Sequence, residues 1–186
     1  MVLLASPTSP FTRAVRVLAH ERGVDLELRY VSPLDDDPEL LAHNPIGKVP
    51  ALVAAGAMPL CDSRSIVAAI DPRPRSRVDR WHEAMAHGLM EAALVVVLES
   101  RRPASEQSPS WLARQRVRLH RIVDAVEGCL PPEADSAGAL TLGCALAYLD
   151  FRLPELGWQA HAPALAAWQA EQCQRASMRS TTYGTA

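Results

Sequence analysis

A serine stands directly before a proline at Ser9-Pro10, with Phe11 behind them. Serine at the N-cap and proline at the first helical position is the ordinary way to begin a helix. A hydroxyl placed there has a second use. The unpaired amides and the dipole of a helix N-terminus favour an anion, and the hydroxyl can donate a hydrogen bond to a thiolate and keep it ionised near neutral pH. The second group is Gly47-Lys48-Val49-Pro50-Ala51-Leu52. Proline is excluded from the middle of a ladder, so one reading is a turn into an edge strand. The other is a cis bond before Pro50, which turns the Val49 N–H and C=O outward to pair with an extended ligand backbone. The third group is Asp62-Ser63-Arg64. Aspartate and serine both cap helices well. The Ser63 amide and hydroxyl also suit a ligand carboxylate, and Asp62 a ligand ammonium. Each group alone is a weak signal. Together, at this spacing, they read as three contacts for a peptide-like ligand.

These groups need elements to position them. Val2 to Ala5 is a short apolar run suited to a buried strand. Phe11, Ala14, Val15 and Leu18 recur at helical spacing, which predicts a helix over Pro10 to Arg22 ended by Gly23. Leu26, Leu28 and Tyr30 alternate with polar neighbours, as in a half-buried strand. A short helix over Asp36 to His43 stops at Asn44-Pro45. Ala51 to Val53 and Pro59 to Cys61 flank a turn at Ala55-Gly56, and Ser63 to Ile70 is helical. The order β-α-β-(α)-β-β-α implies a parallel first pair and an antiparallel hairpin. In such a lobe ligands collect beside helix N-termini at the carboxyl ends of strands, which is where Ser9 falls.

Asp71-Pro72-Arg73-Pro74-Arg75-Ser76-Arg77 cannot continue a helix and divides the chain. The domains read as 1–71, a linker at 72–77, and 78–186. The second domain is helical throughout. A long stripe runs from Val78 to Val96, and the apolar Leu89 to Leu98 half of that helix is expected to be central and buried. Ser110 is expected to cap a second helix, with Leu112, Leu119, Ile122 and Val126 inward. A third helix is read over Leu140 to Arg152, and a fourth from Pro163 carrying Leu165 and Trp168.

Composition narrows the function. With 48% hydrophobic and 22% charged residues and a formal net charge of −2, the chain is ordinary for a globular protein. It offers no global electrostatic case for nucleic acid or an anionic membrane. Leu89 to Leu98, interrupted by Glu91, falls well short of the roughly 20 residues of a membrane span. Val2 to Ala5 is too short for a signal peptide. A cytoplasmic protein is expected. Cys61, Cys129, Cys144 and Cys173 form no Cys-x-x-Cys pair and read as free thiols. His82 and His87 are five apart and share no helix face, so no metal site is expected.

Ser9-Pro10-Phe11, Asn44-Pro45-Ile46-Gly47-Lys48-Val49-Pro50-Ala51-Leu52 and Asp62-Ser63-Arg64-Ser65-Ile66 together resemble the glutathione transferase superfamily, in its bacterial serine type. The likeness continues through Leu149-Asp150-Phe151-Arg152 and the Pro163 to Trp168 helix. It implies an α/β thioredoxin-like N-terminal lobe, an all-α C-terminal domain, and a homodimer. By that resemblance Ser9 activates the glutathione thiol and Val49 pairs with the cysteinyl backbone before a cis Pro50. Asp62 and Ser63 hold the γ-glutamyl end, Lys48 meets a glutathione carboxylate, and Phe11 belongs to the same site. Glutathione is then the co-substrate, and the partner is a small, apolar electrophile lying between the lobes against the Leu89 to Leu98 helix.

Two departures stand out. The segment from Ile70 to Arg77 is short, and Thr141-Leu142-Gly143-Cys144 has cysteine where the family's Ser/Thr-x-x-Asp capping box has aspartate. A third helix without its cap is therefore expected, at a cost of about 1 kcal/mol. Two other functions stay open. A non-catalytic binding or regulatory protein can use the same fold. Glutathione-dependent disulfide reduction needs a cysteine thiolate at the helix start, where this chain has Ser9.

Overall fold

The computed structural model describes residues 1–184 of the 186. The chain divides into two compact units, Met1–Pro74 together with the segment that starts at Ala176, and Arg75–Arg175.

The first unit is a four-stranded sheet in the order β2-β1-β3-β4. Its strands are β1 (Val2–Ala5), β2 (Glu27–Tyr30), β3 (Ala51–Val53) and β4 (Leu60–Cys61). β1 runs parallel to β2, with Leu3 opposite Leu28, and antiparallel to β3, with Leu4 opposite Ala51. The hairpin places Ala51 opposite Cys61. The helices are α1 (Pro10–Glu21), α2 (Pro38–His43) and α3 (Ser63–Ile70). β1 is apolar without alternation because both faces of the sheet are covered. On one face Leu4 joins Val31, Leu40 and Ala51, with Val49 and Cys61 packed against them. Strand alternation turns Leu3 to the other side, and α1 and α3 pack on each other through Val15, Leu18, Ile66 and Val67, all nearly inaccessible. Asp71 fastens the far ends of α1 and α3. It is buried and pairs with Arg22 at 2.9 Å and Arg73 at 2.8 Å.

Three boundaries in this unit differ from expectation. α1 ends at Glu21, with Arg22 as its C-cap. α2 begins at Pro38, because the Asp37 carboxylate accepts from the Glu39 and Leu40 amides. β2 is an edge strand with mostly exposed side chains, since only β1 flanks it. The end of the chain also departs from the 78–186 assignment. The short helix α8 (Ala176–Arg179) belongs to the first unit. There the buried Arg13 donates to the Met178 carbonyl at 3.0 Å.

The second unit holds α4 (Arg77–Glu99), α5 (Pro109–Glu127), α6 (Ala137–Arg152) and α7 (Pro163–Gln172). α4 packs on both α5 and α6. α6 is the more enclosed, with an unbroken buried run from Ala137 to Leu146. α4 is buried along Ala86, Leu89, Met90, Ala92, Ala93 and Val96, whereas Leu98 is exposed. The central helix is therefore α6 rather than the second half of α4. α5 starts two residues before the expected Ser110. Ser108 is its cap, accepting from the Trp111 amide, with Pro109 at the first position. No helix among the described residues is long and apolar enough to cross a membrane.

The expected loss of a cap on the third helix of this unit is overturned. α6 begins at Ala137, so Thr141 sits inside it and bonds back to the Ala137 carbonyl at 2.7 Å. Ser136 caps the helix by accepting from the Ala139 amide at 3.2 Å. A second acceptor comes from α4. Asp79 Oδ1 takes the Gly138 N–H at 2.6 Å, while Oδ2 pairs with Arg75 at 2.7 Å. Arg75 also reaches Glu83 at 3.1 Å. Burial pushes the Asp79 carboxyl up, but Arg75, the Ser136 hydroxyl and the Gly138 amide together hold it below the usual range.

The sign of the resulting pH dependence follows. A carboxylate whose pKa is lowered on folding adds stability above its unfolded value, about 3.9, and loses it as pH falls through the folded value. Asp79→Asn keeps the Gly138 contact and removes the charge. It is expected to cost about 1.5–3 kcal/mol at pH 7 and to flatten the fall in stability below about pH 4. Denaturant titrations across pH 2–7 check both.

Candidate functional site

The register of the first unit brings the three sequence groups to one end of the sheet. Leu4, Ala51 and Cys61 form one row across β1, β3 and β4. Immediately beyond it lie the loop from Ala5 to Ser9, the Val49-Pro50 turn into β3, and Asp62-Ser63 after β4. Two strand spacings separate β1 from β4, about 10 Å. An extended tripeptide covers about the same distance.

Ser9 is the N-cap of α1, and its Oγ accepts from the Thr12 amide at 3.2 Å. The Ser9 N–H donates to the Ser6 carbonyl at 3.1 Å. The cap employs a lone pair of the hydroxyl and leaves its proton to donate. Capping and anion binding are therefore compatible in one side chain. Phe11, two residues on, is half-buried.

The Val49–Pro50 peptide is cis. Pro50 is buried and Val49 half-buried, its side chain set against the Leu4–Val31–Leu40–Ala51 cluster. Among the described residues no hydrogen bond engages the Val49 N–H or C=O. Lys48 is exposed at the same rim.

This turn has a strut that the sequence did not reveal. Asn44 is 2% exposed, and its Nδ2 donates to the Lys48 carbonyl at 2.6 Å. Its Oδ1 accepts from the Ile46 amide at 3.2 Å, and its own carbonyl accepts from the Gly47 amide at 2.9 Å. Gly47 has φ of +69°, a left-handed conformation that glycine adopts without a steric cost. In sequence, Asn44-Pro45 reads only as a helix stop. The one available signal was an asparagine four residues before Lys48, and asparagine is rarely buried without partners.

Asp62 caps α3 through Oδ1, which accepts from the Ser65 amide at 3.0 Å, and its side chain is otherwise exposed. Ser63 is the first residue of α3 and 3% exposed. Its N–H is one of the helix's orphan donors. Among the described residues no hydrogen bond uses its hydroxyl.

Cys61 shares this row. Its thiol is half-buried and donates weakly to the His43 carbonyl at 3.8 Å. Burial, and then the Asp62 charge, push its pKa up. It therefore stays a thiol at neutral pH, the opposite of what a redox-active cysteine requires. Cys129 is exposed, Cys173 partly so, and Cys144 buried, all of them free.

Comparison with known proteins agrees with this geometry. Residues 3–77 match the family described as glutathione S-transferase, N-terminal domain. The chain is 36% identical to an uncharacterized GST-like protein, YibF, of Escherichia coli K12, covering 89% of this chain and 90% of that one. A glutathione transferase family member from Pseudomonas fluorescens Pf-5, solved with bound glutathione, superposes with a TM-score of 0.90 at 35% identity over 99% of both chains. A second structure of a family member from that strain, with bound S-(propanoic acid)-glutathione, gives 0.85 at 34% identity over the full length of both. With a thioredoxin-like first lobe, a helical second unit and relatives matched along nearly their whole length, the chain belongs to the glutathione transferase superfamily.

Proposed function

We propose that the chain binds glutathione across the end of its small sheet and transfers the glutathione sulfur to an apolar electrophile. The observation that carries this reading is the Ser9 hydroxyl. It stands at a helix N-terminus, its proton is uncommitted among the described residues, and the register sets it in line with Val49-Pro50 and Ser63. The glutathione-bound relatives support the same ligand.

The chemistry follows from the donors. The Val49 N–H and C=O pair with the cysteinyl residue of glutathione as a strand would. The Ser63 amide and hydroxyl take the γ-glutamyl carboxylate, and Asp62 takes its ammonium. Lys48 meets the other carboxylate, and Phe11 packs at the rim. The cysteinyl sulfur then lies at the start of α1. The helix dipole and the Ser9 O–H both favour its anion, so the thiol releases its proton to solvent. The thiolate attacks the electrophilic carbon. A carbon–sulfur bond forms, and the leaving group departs with its electron pair. Serine is not the nucleophile in this scheme; it stabilises the one the co-substrate brings. Disulfide reduction is disfavoured, because the cysteine of the row is held protonated.

Calorimetry with glutathione, followed by turnover of 1-chloro-2,4-dinitrobenzene, tests the reading. Ser63→Ala is expected to weaken glutathione binding about tenfold, the worth of one hydrogen bond to a charged group. No binding by the wild-type chain at millimolar glutathione would overturn the proposal. Binding without turnover of any electrophile would leave a non-catalytic glutathione binder.

A further inference from the structure

The segment from Ala176 to Gly184 is fastened along α1 at two places. The Ser177 hydroxyl donates to the Glu21 carboxylate at the C-terminal end of α1. Nearer the other end Arg13, only 5% exposed, donates Nη2 to the Met178 carbonyl at 3.0 Å and Nε to Thr181 Oγ1 at 3.4 Å. Its guanidinium then lies over the Tyr183 ring, 4.4 Å from the centroid.

The order of these contacts gives a direction. As the segment advances from Ser177 to Tyr183, its partners on α1 move back from Glu21 to Arg13. That is eight residues, about 12 Å along the helix. The segment therefore runs antiparallel to α1 and heads for the turn that holds Ser9. Arg13 is one turn from Ser9, and its amide donates to the Ser9 carbonyl at 3.0 Å. Helical side chains lean towards the N-terminus, so the guanidinium and the ring stacked on it lie beside the first turns of α1. A buried guanidinium needs partners. Here a carbonyl, a hydroxyl and an aromatic face all come from one short segment.

We infer that Tyr183 forms a wall for the group carried on the glutathione sulfur, and that Arg13 positions it there. The inference rests on the proposed glutathione site and deepens it. A half-buried aromatic ring beside the thiolate favours planar, apolar acceptors such as aryl halides and their aryl thioether products. Arg13 is a positioning residue, since it acts through the ring.

The test compares the affinities of glutathione and S-(4-nitrobenzyl)glutathione for the wild type, Tyr183→Ala, Tyr183→Phe and Arg13→Gln. Tyr183→Ala is expected to weaken the aryl conjugate five- to tenfold while leaving glutathione within twofold. Tyr183→Phe is expected to restore the wild-type ratio. Arg13→Gln is expected to repeat the Tyr183→Ala loss and to add nothing when the two are combined. If the wild type binds both ligands and Tyr183→Ala leaves their ratio unchanged, this inference fails and the glutathione reading stands. An equal loss for both ligands also overturns it. A wild type that binds neither overturns the glutathione reading, and this inference with it.

Discussion

Ser9→Ala is expected to slow conjugation ten- to a hundredfold while glutathione affinity stays within about threefold. The magnitude follows from one hydrogen bond to an anion, worth about 1.5–3 kcal/mol. That is about one to two units in the pKa of the bound thiol, and near neutral pH the thiolate fraction falls in proportion. The thiolate absorbance of the complex, titrated against pH, measures the shift apart from turnover. The substitution also removes the α1 cap at Thr12, costing about 1 kcal/mol of stability. Ser9→Thr separates the two effects, because threonine keeps both the cap and the hydroxyl. Full activity in Ser9→Ala with unchanged glutathione affinity would sink the assignment.

Gly138→Ala is expected to destabilise the second unit by about 3–5 kcal/mol. Propensity alone points the other way, since alanine is favoured over glycine inside a helix by about 1 kcal/mol. Contact geometry decides the sign. A Cβ on Gly138 would lie 2.2 Å from the Asp79 carbonyl oxygen and 2.6 Å from Oδ1. Backbone that close does not yield, so α6 must draw back from α4. Overpacking of this kind costs about 1–3 kcal/mol. Losing the Gly138–Asp79 hydrogen bond adds about 1.5–3 kcal/mol more. Against a total stability of about 5–15 kcal/mol, the shift in denaturation midpoint is unmistakable. Ser136→Ala removes only the ordinary cap and is expected to cost about 1 kcal/mol. A Gly138→Ala protein within 1 kcal/mol of wild type would show that the two helices are not held as described.

Local signals carried the sequence reading where the deciding groups are neighbours in the chain. Ser9-Pro10 starts α1 where its residue types require, and Asp62 starts α3 at Ser63. The same logic misplaced α5. Ser108 and Ser110 are both capping residues, and Pro109 decides between them because it suits the first helical position. The α6 start was hidden for a different reason. Half of its capping comes from Asp79, 59 residues earlier, and no local pattern reports such a partner. Asn44 was hidden by ambiguity, because a helix stop and a buried strut look alike in sequence. The three ligand groups could be named from residue types, but their alignment rests on the pairing of Leu4, Ala51 and Cys61.

The Arg13 contacts also bear on the order in which this protein is made. Arg13 and the Met178 carbonyl it bonds lie 165 residues apart. At about 5–20 residues per second, a ribosome needs roughly 10–30 seconds to cover that interval. Through that time the nascent first lobe has its sheet but not the carbonyl, hydroxyl and ring that surround its buried cation. The lobe begun first is thus completed last, after all of α4 to α7 has been synthesised.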